Sequence, residues 1–465
     1  MAPYDLFDAD AERKRGILVL VGAIVVFSSA GLAWAHFFAQ GLLLKASVYL
    51  LVAFTIGGAI LLEPLVGLCL MVFLVPVEEL YAFAGGWIAV TKAIGVVTFA
   101  AFLVKSQLRH AILHFDKASR WMLLFGLWTA LSFLWTKQKS GTPLFLVLTV
   151  GQLVLFWVLV QASVQTRHEL SAISYCFVAG TLLAVFVSVI LPRWSLAPRL
   201  IFTTGNPNHL ARDVVTSLLL LLYFMPGMGR RAMLVAVGAG AVLALSLVLT
   251  QSRSSWLGAI ASVTILLIGH RKVFPFVALG GMALAAAALF SLEVLSAHLG
   301  VTETVLETRW GSIFDEHSIR ASRVDIWRAG IILGSRSPLL GVGAGAFAER
   351  LPEAVETMPE YLAATARLDA HNSFVCAFGE LGLVGLALLI GILWQCGRSI
   401  ARHASFLEKM LAWALFFSVV SRMLFGTIYY QKTTWLALAL TQVVLRKEFA
   451  GEGSEDDISY EERSD

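Results

Sequence analysis

Apolar runs of roughly twenty residues, the length that carries a helix across ~30 Å of hydrocarbon, recur along most of this chain. They fall near 16–35, 42–62, 64–76, 91–105, 121–135, 144–162, 170–191, 209–224, 232–250, 255–269, 273–292, 372–396, 406–421 and 426–446. The third run is short enough to be re-entrant, so the pattern predicts about 12–14 membrane segments. The apolar positions do not alternate in ten-residue stretches, which sets a membrane β-barrel aside. The predicted fold class is all-α, a polytopic helical membrane protein.

Composition agrees with that reading. The chain is 58% apolar and 14% charged, whereas soluble domains carry roughly a quarter charged residues. Its four cysteines, Cys69, Cys176, Cys376 and Cys396, lie far apart in or beside apolar runs and form no CxxC pair. They read as core residues, with neither a metal nor a disulfide implied.

The net charge of +4 is small, and its distribution is more informative. Basic clusters at Arg13–Arg15, Lys105–Arg120, Arg167–His168, Arg230–Arg231, Arg271–Lys272, Arg398–His403 and Arg446–Lys447 occupy alternate connections. The positive-inside rule then puts both termini in the cytoplasm. The first apolar run is too long for a cleaved signal and lacks a small-residue cleavage site, so it reads as a signal-anchor helix.

This parity divides the chain into a transmembrane bundle over 1–199, further membrane segments over 200–292, an outer loop over 293–370, C-terminal segments over 371–446 and an acidic cytoplasmic tail over 447–465. The loop carries helical signals. Ser322 is a candidate N-cap for "SRVDIWRAGIILG", with Ile326, Gly330 and Ile331 on one face. "GVGAGAF" then turns into a second short helix near 346–357. This glycine stretch resembles a nucleotide loop only superficially, because no strand precedes it.

Polar clusters gather on the predicted outer side. In "TGNPNHLARDVV", Asn206 suits an N-cap and Pro207 the first helical position, and His209, Arg212 and Asp213 share a helical face. Arg253 sits among hydroxyls in "TQSRSSW", and "SRVDIWR" supplies Arg323 and Arg328. Guanidinium forks match phosphate oxygens, and helix starts add backbone donors, so an anion site is one reading. The plainer readings are an ion pair of Arg212 with Asp213 or Glu380, a snorkelling Arg253, and solvated charges at Arg328 and Arg336.

His371 and Asn372 open the apolar run "SFVCAFGELGLVGLALLIGILW", with Asp369 as the expected N-cap. A helix start and nearby arginines disfavour an imidazolium, leaving a neutral ring able to accept a proton. The plain alternative is an interfacial histidine. The ten histidines are otherwise scattered without metal-ligand spacing, so neither metal nor cofactor is expected. Glu63, Glu78 and Glu79 beside Pro64 and Pro76 read as helix boundaries, though a transporter would use such carboxylates.

Four fragments in order, "GNPNHLA", "LTQSRSSWLG", "RVDIWRAG…SPLLGVGAGAF" and "AHNSFVCAFGELGLVGL", resemble the O-antigen ligase and polymerase superfamily over roughly residues 200–395. The resemblance implies a lipopolysaccharide O-antigen ligase of the bacterial inner membrane, working at the periplasmic face. Its implied partners are an undecaprenyl pyrophosphate-linked glycan donor, a lipid A-core acceptor and membrane lipids, with no nucleic acid. It implies His371 as base or acceptor-positioning residue, Arg253 and Arg323 as pyrophosphate binders, and Arg212 as a third basic partner; His209, Arg328 and Asn372 are further candidate substrate contacts. A polymerase of O-antigen or exopolysaccharide is the alternative within the superfamily. A transporter of an anionic envelope precursor is the alternative outside it, but no internal repeat supports one.

Overall fold

The computed structural model describes residues 42–83, 88–108, 116–136, 142–190, 207–250, 252–269, 316–355 and 369–446, with scattered positions between 16 and 31. The expected segment at 273–292, the candidate cap Asn206 and the acidic tail lie outside the described residues. The helices are α1 (Leu42–Leu62), α2 (Pro64–Leu74), α3 (Val90–Leu108), α4 (Lys117–Leu131), α5 (Thr142–Ser163), α6 (Arg167–Ile190) and α7 (Pro207–Phe224). They continue with α8 (Arg230–Thr250), α9 (Arg253–Gly269), α10 (Glu316–Arg336), α11 (Phe347–Val355), α12 (Ser373–Arg402), α13 (Phe406–Phe425) and α14 (Lys432–Val443). Among the described residues, β structure is limited to a two-residue antiparallel ladder pairing Ala82 with Ala89 and Phe83 with Ile88. The protein is an all-α polytopic membrane protein. Among the described residues, four stretches are long and apolar enough to cross a bilayer by themselves: Arg167–Ile190, Asn208–Gly227, Arg230–Thr250 and Ser373–Arg402.

The chain forms two compact units. One draws on residues 1–114, 158–183 and 446–465, the other on 115–157 and 184–445. Within the first, Lys105 Nζ meets Glu63 Oε2 at 2.8 Å. Arg446 sits at the C-terminal end of α5, donating from Nη1 to Val164 O at 2.5 Å and from Nη2 to Gln161 Oε1 at 2.8 Å. A cation at unpaired helix-end carbonyls is favourable.

The second unit is built around α14, all of whose residues are buried. A helix that is covered on every face belongs at the centre of its bundle. Its Trp435 meets Phe125 and Trp157 with ring centroids 5.9 and 6.2 Å apart. Buried shares of the apolar windows, 78% for α7 against 22% for α8, place α7 in the interior and α8 at the rim.

Two local expectations need correction. Ser322 is not a cap, because α10 begins at Glu316; Ser and Asp here sit among good helix formers that carry the helix past them. The inward face of α10 holds Ile326, Ala329, Gly330 and Leu333, while Ile331 points outward. The glycines let α10 lie close on α12: a Cβ at Gly330 would meet Val375 Cγ1 at 2.5 Å, and one at Gly334 would meet Phe378 Cδ1 at 2.5 Å.

The helix α12 is broken at Gly382, which takes φ 67° and ψ −167°. Such a break frees backbone groups that a continuous helix would pair. The turn before α11 takes them up. Val342 N donates to Gly379 O at 2.9 Å, Gly343 N to Glu380 O at 2.8 Å, and Leu383 N to Pro338 O at 2.7 Å. The indole of Trp128 on α4 donates to Leu381 O at 3.0 Å. Glycine is required on both sides of this joint. Gly341 has φ 69°, and a Cβ there would lie 2.3 Å from Glu380 C, while one at Gly382 would lie 2.2 Å from Leu339 O.

Candidate functional site

The start of α12 is held by its own cap. Asn372, not Asp369, is the N-cap: its Oδ1 accepts from Phe374 N at 2.9 Å and Val375 N at 3.1 Å. Asparagine serves because its side-chain oxygen reaches the first free N–H groups while its backbone stays extended. The same side chain donates from Nδ2 to Leu424 O at 3.1 Å, tying α12 to the end of α13. Ser373 Oγ adds a donor bond to Gly426 O at 2.7 Å and accepts from Ile428 N at 3.0 Å.

His371 therefore precedes the helix and does not begin it. It has φ 48°, the one positive value for a non-glycine among the described residues. The left-handed conformation costs an L-residue ~1–2 kcal/mol, and such strain persists only where the surroundings fix it. Here they do: Ala370 on one side is fully buried and accepts from Trp327 Nε1 at 3.1 Å, and the capped helix is on the other. The imidazole is half-buried. Burial pushes its pKa below the ordinary histidine value of 6.5; the guanidinium of Arg323 pushes the same way, and Asp369 opposes both. The ring is thus neutral near pH 7, with an accepting nitrogen.

Arg323 is half-buried on α10, the helix that Trp327 ties to Ala370. Arg328 is exposed and stands about 140° around the same helix from Arg323, so it does not share Arg323's approach to His371. Arg253 is the first residue of α9. That helix start is tied to the start of α7 by Ser252 Oγ, which donates to Asn208 Oδ1 at 2.6 Å.

The α7 start holds the remaining expected residues. Arg212 is buried and paired with its neighbour Asp213, through Nε at 3.0 Å and Nη2 at 2.9 Å to Oδ1. Of the two carboxylates weighed for it, Asp213 is the partner and Glu380 is not. Its Nη1 is buried and has no hydrogen-bond partner among the described residues. His209 Nε2 lies 2.6 Å from Gln431 Nε2, a contact that needs the ring's nitrogen unprotonated to accept.

At this end Arg422 was not anticipated, and Glu380 has other partners than the arginine weighed for it. Arg422 on α13 donates from Nη1 to Arg212 O at 2.9 Å and from Nη2 to Ser418 Oγ at 3.0 Å, and its Nε donates to Ser418 O. Glu380 is buried, and its Oε2 accepts from Tyr429 Oη at 2.6 Å and Tyr430 Oη at 2.7 Å, while Oε1 accepts from Phe347 N at 3.2 Å. This carboxylate is fully used in holding the glycine turn, α12 and the 429–430 segment together.

The starts of α7, α9, α12 and α14 and the end of α13 thus meet at one end of the second unit. Two groups result: His371 with Arg323, and Arg212 with Asp213, Arg422 and the His209–Gln431 pair, joined through the end of α13. Among the described residues no group of three or more His, Cys, Asp or Glu is placed to hold a metal. The site can therefore supply a neutral imidazole, guanidinium donors and helix starts, a set suited to an anionic leaving group beside a hydroxyl nucleophile.

Comparison with known proteins covers part of this site. Residues 238–390 match the family model described as O-antigen ligase. The exopolysaccharide production protein ExoQ of Rhizobium meliloti (strain 1021) is 32% identical over 163 residues, which is 34% of this chain and 36% of that protein. The match thus spans about a third of that relative's length. Arg253, Arg323, His371, Asn372 and Glu380 lie inside the matched residues, whereas His209, Arg212 and Arg422 lie outside them. Residues 238–390, about a third of the chain, are thus similar to the O-antigen ligase family.

Proposed function

We propose that this protein is a lipopolysaccharide O-antigen ligase of the bacterial inner membrane, with its site at the periplasmic face and both termini in the cytoplasm. It moves a glycan from undecaprenyl pyrophosphate to a hydroxyl of lipid A-core, and no metal takes part. The observation that carries the reading is the strained, half-buried His371 fixed beside Arg323 at the capped start of α12. In the step, the acceptor oxygen attacks the anomeric carbon and the bond from that carbon to the pyrophosphate breaks. The hydroxyl proton passes to the imidazole of His371, and undecaprenyl pyrophosphate leaves as the anion.

Arg253 and Arg323 grip the pyrophosphate as bidentate forks. Arg212, His209 and Arg328 contribute further contacts to the donor or acceptor, and Asn372 fixes the residue before it through the cap. A second reading is favoured by one observation, the likeness to a protein named for exopolysaccharide production: the acceptor is then another lipid-linked glycan, and the protein is a polymerase. Reconstitution with a lipid-linked glycan and purified lipid A-core, read by gel mobility, separates the two. Transfer to lipid A-core supports the ligase; lengthening of the lipid-linked glycan without lipid A-core supports the polymerase; neither product overturns glycosyl transfer.

A further inference from the structure

The turn at 337–343 belongs to the stretch that hydropathy assigns to a water-exposed loop, yet its surface is apolar. Leu339 is 61% exposed and Leu340 42%, beside Leu134 at 82% and Leu383 at 48%. These side chains are neighbours through the joint at Gly382: Leu383 N donates to Pro338 O, and Trp135 Nε1 donates to Leu340 O at 3.2 Å. A contiguous exposed patch of large apolar side chains needs an occupant.

Two helical stripes lead into the patch. On α4 and the turn after it, Trp121, Leu124, Leu127, Leu131 and Leu134 are exposed at steps of three or four residues. On α12, Leu383, Ala387, Ile390 and Trp394 do the same. An outward apolar stripe on a membrane helix is its lipid face. The patch continues both faces, so its occupant is the same hydrocarbon.

Depth can be measured along the two helices, which run antiparallel: Trp128 bonds Leu381 O, and Gly391 lies against Trp121. Arg120 on α4 and Arg398 on α12, both exposed, therefore mark one face of the bilayer. From Arg398 to Gly382 is sixteen residues, or ~24 Å of helix. From Arg120 to Leu134 is fourteen residues, or ~22 Å with the tighter last turn. Both fall short of the ~30 Å hydrocarbon thickness. The two rulers agree on a turn roughly 6–8 Å inside the opposite boundary, and helix tilt deepens it. Snorkelling of the arginines by several Å moves it only to that boundary.

Irregular backbone at that depth is tolerated only where its polar groups are satisfied by protein. They are here. The carbonyls of Gly379, Glu380 and Leu381 and the N–H of Leu383 all have partners, supplied by the turn and by Trp128. The pair Trp128 and Trp135, ring centroids 5.5 Å apart, suits the interface, where amphipathic rings anchor.

We propose that the 337–343 turn is a membrane-embedded wedge, with Leu339 and Leu340 in the acyl layer, packed on the Gly382 break of α12. The wedge fixes how far the start of α12 stands from the bilayer. Nine residues separate Ser373 from Gly382, at most ~14 Å, so Ser373, two residues after His371, lies no more than about 8 Å beyond the hydrocarbon. That is where the pyrophosphate of a polyprenyl donor would sit, a consequence that rests on the proposed function; the wedge itself does not.

The test is nitroxide depth measurement on the full chain in lipid nanodiscs. Leu339→Cys and Leu340→Cys are labelled separately, so one reads the depth if the other fails to fold; the native cysteines are buried, and the parent protein gives the labelling background. Leu127→Cys on the α4 stripe is the lipid reference and Glu349→Cys on α11 the water reference. The expected result is high oxygen and low nickel-chelate collision at 339 and 340, matching 127 and several-fold different from 349. Chelate collision at 339 and 340 equal to that at 349 would overturn the wedge, whatever transfer activity the variants retain.

Discussion

Replacing Gly382 with alanine tests whether the helix break and the glycine turn form one fitted joint. The perturbation has two parts. Gly382 has φ 67°, which costs a residue with a Cβ ~1–2 kcal/mol. The new Cβ would also sit 2.2 Å from Leu339 O and 2.3 Å from Leu339 C. Both are backbone atoms, so the whole turn must move. Moving it breaks the bonds of Val342 N, Gly343 N and Leu383 N across the joint, at ~0.5–1.5 kcal/mol net for each. Together the loss is about 3–6 kcal/mol. A control is Gly238→Ala on α8, where a Cβ meets nothing within 4 Å and helix propensity predicts a gain of up to ~1 kcal/mol. Unfolding in mixed micelles by SDS titration, followed by circular dichroism, gives both values. Equal stability of the two variants would refute the fitted joint and with it the reason for two glycines of positive φ face to face.

Other consequences follow from the same contacts. His371→Gly should gain about 1 kcal/mol in the same titration by relieving the left-handed strain, while losing glycan transfer; a loss of stability would show that the imidazole's contacts outweigh the strain. Asp213→Asn should cost ~3–5 kcal/mol, because it leaves two buried guanidiniums without their carboxylate, and should exceed the cost of Arg212→Met, which leaves Arg422 near Asp213. Arg323→Lys should fail to restore transfer, since a point charge cannot reproduce a fork; near-normal turnover would point to a diffuse positive field. The initial rate of transfer should fall as pH drops, because protonation removes the accepting nitrogen. The midpoint should lie below 6.5, the direction in which burial and Arg323 move His371, and a midpoint above 6.5 would remove the base from this histidine.

How much of this was legible in the sequence depends on what each residue's role rests on. The helices follow from apolar run length, because lipid leaves few other ways to satisfy a backbone; α7, α8 and α9 begin within two residues of the expected positions. Pro207 opens α7 as its fixed φ predicts. Arg422 was missed because the apolar run reads as ending at residue 421, which puts the arginine in a connection. The helix continues to Phe425, and a charge inside a span is itself a pointer to function. Glu380 stood in plain view within an apolar run, but its partners Tyr429 and Tyr430 lie some fifty residues away, and no spacing rule joins them. The cap at Asn372 in place of Asp369 turned on which of two good capping residues was followed by the helical φ/ψ values. The left-handed His371 has no sequence signal, since that conformation is imposed by the buried Ala370 and the cap on either side.

The account turns on His371 as the proton acceptor, and one measurement reaches it directly: donor binding and product formation on the same purified His371→Ala protein. Loss of a positioned base removes about two to four orders of magnitude in rate. Transfer should therefore fall below detection while the lipid-linked donor still binds, held by Arg253 and Arg323. Transfer within a few-fold of the unaltered protein would contradict the account and leave His371 as an interfacial residue in an uncommon backbone conformation.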